Sequence, residues 1–375
     1  MKNTIYKYFF YEFINYFVVI LFALLAVIWT IQAVNFLDLI TDDGHAIGVY
    51  LLYSLLTVPK IITKLIPFAF LSASILTILK LEKENELVIL WTSGLNKIHV
   101  VNLIFRISIL IMALQFLMSI FITPNVLNIS RNIIKDSKLQ FIPSLLKEKK
   151  FNDTVEGLTV FVDEKNTDGT YENIFIRDDG NILTQVSSGS STIFAKIGYI
   201  SVDEKNLILL DGNIQKIEKN GNINIIKFER TALNISELST KSISEIKIQE
   251  TSTIQILKCL LRKNITNHNC SYKENENNKD LKIEANKRFG MPIFIPLIGL
   301  IACFLLSGRK EKKFSSFQKY IYFFIGFFIL ICSEITVRYS GTSLNHTTIY
   351  YLIPIILLPL VYIFLIRAFK YENLN

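Results

Sequence analysis

The sequence predicts a membrane protein of mixed α+β class, with six transmembrane helices in two sets of three (3+3) and a β-rich domain inserted between the sets. Three observations predict it. Long apolar runs alternate with polar blocks along 375 residues, of which 51% are hydrophobic and only 19% charged, below the roughly 25% charge of soluble domains. Six runs approach the length of about 20 residues that a helix needs to cross the hydrocarbon core. Between the third and fourth runs, short stretches rich in Val, Ile, Thr and Phe alternate with Asx-Gly pairs, the composition of strands and tight turns.

The first helix is Phe13–Leu37, which carries no charge and is too long for the core of a signal peptide. The second is Leu51–Leu81, broken by Pro59 and Pro67, and the third Ile98–Ile122, interrupted by Arg106. Phe289–Leu306, Phe314–Tyr339 and Ile349–Phe369 supply the last three. Residues 1–122 therefore form the first membrane set and residues 289–375 the second.

Basic residues in short loops set orientation. Lys2 and Lys7 precede the first helix, Lys80, Lys83 and Lys97 flank the loop after the second, and Arg309, Lys310, Lys312 and Lys313 fill the turn after the fourth. Arg367 and Lys370 end the chain, whereas Asp38–Tyr50 and Ser340–Thr348 hold neither Lys nor Arg. Both termini are expected in the cytoplasm, with residues 123–288 facing outward. The net charge of +8 belongs to this pattern and not to nucleic acid binding, for which a basic groove with interleaved aromatics is missing.

Within residues 123–288 the strand-like stretches are Leu158–Val162, Asn173–Ile176, Thr192–Ala195, Asn206–Leu210 and Ile223–Phe228. Asp168-Gly169, Asp179-Gly180, Asp211-Gly212 and Asn220-Gly221 stand between them and favour the positive φ of hairpin turns. About eight strands in this space suggest a sandwich or jelly roll. The stretch Asn264–Asn286, rich in Asn, Lys and Glu, is expected to be a mobile linker back to the membrane.

Catalytic signatures are missing. There is no phosphate loop, HExxH or GxSxG, so the chain is not expected to be an enzyme or to need a cofactor. Asp42-Asp43-Gly44-His45 reads as a polar turn, and His268 with Cys270 lacks the further ligands of a zinc site. Cys303 and Cys332 lie in apolar runs, while Cys259 and Cys270 lie where a disulfide is permitted.

Two constellations carry functional candidates. The loop after the second helix, about 82–97, reads as a short amphipathic helix with Glu84 and Glu86 at its start, Leu87, Leu90 and Trp91 on one face, and Gly94 as its stop. It lies on the membrane surface or docks into a partner, with Leu87, Leu90 and Trp91 as anchors. Lys60 and Lys64, four apart on the second helix, and Glu334 and Arg338, four apart on the fifth, are costly at membrane depth. They line a cavity for an anionic headgroup, with Gln32 nearby on the first helix, or the lysines snorkel and Glu334 pairs with Arg338.

Leu81-Glu82-Lys83-Glu84-Asn85-Glu86-Leu87-Val88…Gly94, followed much later by Glu284…Arg288…Pro292, resembles the LptF/LptG family of lipopolysaccharide export permeases. The 3+3 layout resembles it across nearly the whole chain. Val27–Gln32 with Leu37–Ile40, and Phe151–Asp153 with Gly157–Val162, are similar to the LptF side of the family. The resemblance implies an inner-membrane permease that pairs with an LptG-like permease, is driven by an LptB-like ATPase dimer, and hands lipopolysaccharide through a periplasmic β-jelly-roll domain to an LptC-like protein. It implies that Glu86 is the coupling-helix glutamate. Trp91-Thr92-Ser93 departs from the small residues that the family places before its glycine. Competing expectations are an LptG-like paralogue, a membrane-anchored periplasmic binding or scaffold protein, and an ion-coupled transporter, whose usual internal repeats are not seen.

Overall fold

The computed structural model describes residues 2–37, 46–136, 146, 148–155, 157–166, 168–179, 190–201, 206–217, 223–234, 247–261, 277–307 and 312–372. Among the described residues six helices are long and apolar enough to cross a membrane: Ile5–Asn35, Ile47–Lys83, Lys97–Ile134, Lys279–Leu306, Tyr320–Ser340 and Leu344–Lys370. The chain divides into two compact units, residues 1–30, 57–128 and 247–375 in one and residues 31–56 and 129–246 in the other.

The first unit is helical. Its chain runs through α1 (Lys2–Asn35), α2 (Ile47–Leu56, which belongs to the second unit), α3 (Val58–Lys83), α4 (Glu86–Thr92) and α5 (Lys97–Leu117). A π turn, Met118–Ile122, joins α5 to α6 (Thr123–Asp136). After the sheet follow α7 (Thr253–Leu261), α8 (Asn277–Gly290), α9 (Phe294–Ala302), α10 (Lys312–Ser340) and α11 (Leu344–Glu372).

The fourth span forms the axis of this unit. Every residue of α9 is buried, and it packs against α3, α5, α10 and α11. Its sequence, Phe-Ile-Pro-Leu-Ile-Gly-Leu-Ile-Ala, is apolar on all sides, and such a helix belongs inside a bundle. Gly299 lets it approach closely, since a Cβ there would stand 3.2 Å from the Phe70 ring and 3.3 Å from Ser108.

The two prolines of the second span act differently. The helix breaks at Thr57, just ahead of Pro59, which occupies the first turn of α3 where its missing N–H costs nothing. Pro67 sits inside α3 without ending it. Lacking an N–H, it leaves the Thr63 carbonyl without its helical donor, and the Gln115 side-chain amide donates to that carbonyl at 3.3 Å.

The expectation of a mobile linker over Asn264–Asn286 is corrected in its second half, since Asn277–Asn286 lies in α8. Leu281 and Ala285 recur four apart and bury against Ile256 of α7. Two apolar residues among many polar ones are a faint signal that only the neighbouring helix completes. Residues 262–276 lie outside the described residues, as do Asp42-Asp43-Gly44-His45, Asn220-Gly221, His268 and Cys270. Cys259 is disulfide-bonded, and Cys303 and Cys332 are free thiols.

The second unit holds an antiparallel sheet over Asn152–Asn234. Its strands are β1 (Asn152–Val155), β2 (Leu158–Phe161), β3 (Glu164–Lys165), β4 (Thr170–Asp178), β5 (Ser191–Ile200), β6 (Asn206–Ile217) and β7 (Ile223–Asn234). The order is β1-β2-β4-β5-β6-β7, with β3 paired to β4. Alternation puts Val160, Ile174, Ile176, Ile193 and Leu209 on one buried face. Phe161, Phe175 and Phe194 are in register on the other face. The expectation of a turn at Asp211-Gly212 is corrected, because the pair lies inside β6, where Asp211 has φ +49°. Gly212 is needed for space, since a Cβ there would meet the Phe194 carbonyl oxygen at 2.2 Å and the Phe228 ring at 2.4 Å.

Candidate functional site

Two places in the helical unit gather the candidate residues. The first is α4. Asn85, with φ +60°, turns the chain sharply out of α3. Gly94, with φ +82°, closes the helix. The Leu95 amide donates to the Leu90 carbonyl and the Gly94 amide to the Trp91 carbonyl, both at 3.1 Å. This is the paired C-terminal bonding of a Schellman motif, with Leu95 and Leu90 meeting the same core.

The two faces of α4 are unequally covered. Leu87 is buried, and Leu90 and Trp91 pack against the unit's own main core. Through them α4 is rooted in the bundle, with Leu90 and Trp91 still partly accessible. Val88 and Ile89 are the exposed apolar residues, 56% and 63% accessible, beside exposed Thr92, Ser93 and Gly94 and preceded by exposed Glu84. Glu86 is half-buried, and its carboxylate accepts a hydrogen bond from the Tyr8 hydroxyl at 3.0 Å.

The second place is a cavity of about 300 Å³ lined from α3, α5, the π turn, the start of α6, the segment around Gln249, α8, Met291 and α10. Lys60 and Lys64 stand one turn apart on α3 and line it together. Lys287, Arg288, Glu284 and Glu334 complete its charged lining. Both acids are taken. Glu334 pairs with Lys287 at 2.5 Å, and Glu284 with Arg288 at 2.9 Å, four residues apart on α8.

Arg288 is only 3% exposed and makes four hydrogen bonds. Besides Glu284, it donates to the Thr251 carbonyl at 3.0 Å, the Thr253 hydroxyl at 2.8 Å and the Gln249 carbonyl at 3.1 Å. The Thr253 hydroxyl in turn donates to the Ile120 carbonyl, in the π turn, at 2.8 Å. Arg288 thus fastens the segment 248–253 to the third and fourth spans. Lys60 and Lys64 have no ion-pair partner among the described residues. Two neutralised acids and two unpaired lysines leave the lining net positive, which suits an anion.

The pairing of Glu334 with Arg338 is corrected, because Lys287 from α8 reaches Glu334 across the bundle. Arg338 is exposed and does not line the cavity, and Gln32, on α1, falls in the second unit. Sequence reasoning missed Lys287, Gln115, Ser119 and Thr63 in the lining. Gln115 carried a signal, a lone amide in the apolar run Ile107–Ile122. It is buried, and its carbonyl oxygen has no hydrogen-bond partner. No group of three His, Cys, Asp or Glu able to hold a metal occurs among the described residues.

The sequence matches the family described as lipopolysaccharide export system permease LptF/LptG over residues 7–368. It is also 27% identical over 239 residues to an uncharacterized protein of Rickettsia prowazekii (strain Madrid E), a match covering 62% of this chain and 64% of that protein's length. A match running from the first transmembrane helix to the end of the last, over six apolar helices with an antiparallel sheet between the third and fourth, leaves one conclusion: the chain belongs to the LptF/LptG permease family.

Proposed function

We propose that the chain is the LptF-like permease subunit of an ATP-driven exporter that takes lipopolysaccharide from the inner membrane and passes it to a periplasmic bridge. Lys60 and Lys64, with no ion-pair partner among the described residues and set on the wall of a cavity whose charged lining is net positive, carry this reading. Lipid A presents phosphates above acyl chains, and an ammonium makes a strong, charge-assisted contact with phosphate. Apolar helices supply the surroundings that the acyl chains require. Arg338 and Gln32 would meet the lipid outside this cavity.

The remaining parts follow from the family. An LptG-like permease would complete the membrane channel, an LptB-like ATPase dimer would dock on α4 beneath Glu84 and Glu86, and an LptC-like protein would receive the lipid from the sheet domain. That domain would close as a jelly roll in the periplasm, with both termini in the cytoplasm, as the short-loop charges require.

The test places a photo-crosslinking residue at Leu127 or Met291, both in the cavity wall, and compares the wild type with Lys60→Gln, Lys64→Gln and the double variant. The double variant is expected to lose crosslinking to lipopolysaccharide by about tenfold or more, the scale of a charge-assisted hydrogen bond. Undiminished crosslinking and export in the double variant would mean that the lysines only snorkel, and lipid recognition at this cavity would be abandoned.

A further inference from the structure

We infer that Tyr8, Glu12 and Lys80 form a clasp that yokes the cytoplasmic start of α1 to α4, so that a displacement of α4 is carried along α1 into the membrane. The inference rests on the proposal that α4 receives the ATPase.

The first turns of α1 carry two parallel stripes. Phe9, Phe13 and Phe17, spaced by four, are 3%, 1% and 4% exposed, and all three lie in the core that also holds Leu87 and Leu95. Tyr8, Glu12 and Tyr16, also spaced by four, form the adjacent stripe, because i and i+4 share a helix face. The Tyr8 hydroxyl donates to Glu86, the first residue of α4, at 3.0 Å. The Lys80 ammonium, in the last turn of α3, donates to Glu12 at 2.8 Å. The same ammonium lies 6.0 Å from the centre of the Tyr16 ring, within reach of a cation–π contact. The polar stripe therefore bridges the α3–α4 corner, one rung on each side of it.

The corner itself makes the bridge consequential. Asn85, in the left-handed conformation, interrupts the helix between α3 and α4, so α4 is a separate short rod able to tilt against α3. Apolar packing holds α1 near α4 but tolerates sliding, because it has no direction. Hydrogen bonds and ion pairs have direction, and they fix the register of α1 against both rods. Glu12 and Lys80 side chains are only 13% and 29% exposed, so salt screens the pair weakly.

Farther along, Leu25 of α1 buries against Ile61 and Leu65 of α3. These two residues flank Lys60 and Lys64 in sequence. A pull on the start of α1 thus ends beside the residues that present the lysines. Glu86 has a second carboxylate oxygen for a cation of a partner, and would pass the partner's movement to Tyr8. Tyr8, Glu12 and Lys80 act here as positioning residues.

The test uses the complete chain with its partner permease and ATPase in proteoliposomes, reading ATP hydrolysis and lipopolysaccharide transfer in parallel. Tyr8→Phe removes one hydroxyl, and Glu12→Gln removes one charge. The double variant is expected to retain the bound ATPase and its hydrolysis within about twofold, while lipid moved per ATP falls by about tenfold, the scale of lost charge-assisted bonds. Reversal of the pair, Glu12→Lys with Lys80→Glu, is expected to recover transfer relative to either reversed residue alone. Unchanged lipid per ATP in the double variant would overturn the inference, and so would a reversed pair no better than its singles. A wild-type complex that holds no ATPase would overturn the docking proposal and this inference with it, an outcome distinct from an intact ATPase with unaltered coupling.

Discussion

Arg288 carries a full charge at 3% exposure, and its hydrogen bonds to Glu284 and three acceptors in residues 249–253 explain how. Removing it would strand the partly buried Glu284 and two backbone carbonyls. Arg288→Ala is therefore expected to cost about 3–5 kcal/mol, as breaking one side of a buried pair does, read as a lower thermal midpoint of the purified protein. Arg288→Lys is expected to recover only part of this, because a single ammonium lacks the planar fork that reaches several acceptors. Glycines give a contrast in sign. Gly94→Ala places a Cβ at φ +82° and is expected to destabilise by about 1 kcal/mol. Gly48→Ala, in α2 with open space around it, is expected to stabilise by up to about 1 kcal/mol through helix propensity. Thermal unfolding of the two variants side by side checks both.

At the scale of elements, α4 shows that spacing identifies an apolar face without identifying what covers it. Leu87, Leu90, Trp91 and Leu95 at helical spacing identify an amphipathic segment, and an amphipathic segment needs something apolar to cover it. The sequence cannot say whether the cover is a partner or the chain's own bundle. Leu87 and Leu95 are buried in one core with Phe9, Phe13 and Ile78, and Leu90 and Trp91 are partly covered by it. A clear experiment follows. Val88→Asp and Ile89→Asp, on the exposed side, are expected to leave folding intact and to weaken ATPase capture by about tenfold or more, as lost interface anchors do. Leu87→Asp is expected to unfold the corner, because it buries an unpaired charge. Equal capture by the Val88 and Ile89 variants in a pull-down would remove α4 as the docking surface. In the sheet, Gly212→Ala is expected to lower the stability of the β unit by about 1–3 kcal/mol through overpacking against the Phe228 ring, measured by unfolding of the intact protein.

For the whole molecule, topology is open to a direct check. A cysteine placed at exposed Asp168, in the turn before β4, is expected to react with an impermeant thiol reagent from the periplasmic side, and one at exposed Ser93, after α4, is expected to be protected. The reverse pattern would invert the orientation argued from the loop charges. Six spans, an antiparallel sheet and the place of that sheet in the chain were legible in the sequence because each rests on a local or cumulative property. Apolar length decides whether a helix can cross a bilayer, and alternation with turn residues decides whether a stretch becomes a strand. The candidate site was legible only in part. Lys60 and Lys64 stood out because ionisable groups in apolar runs are costly, and Glu86 because it opens an amphipathic helix, where the dipole favours an acid. Their partners did not, since Lys287 meets Glu334, Tyr8 meets Glu86 and Glu12 meets Lys80 across long stretches of chain, where no spacing rule applies. The sequence alone thus determined which segments span, which pair as strands and which carry charge, through hydropathy and local geometry. Only the tertiary structure decided which charges neutralise one another and which face of α4 is free, because those depend on which helices become neighbours in space.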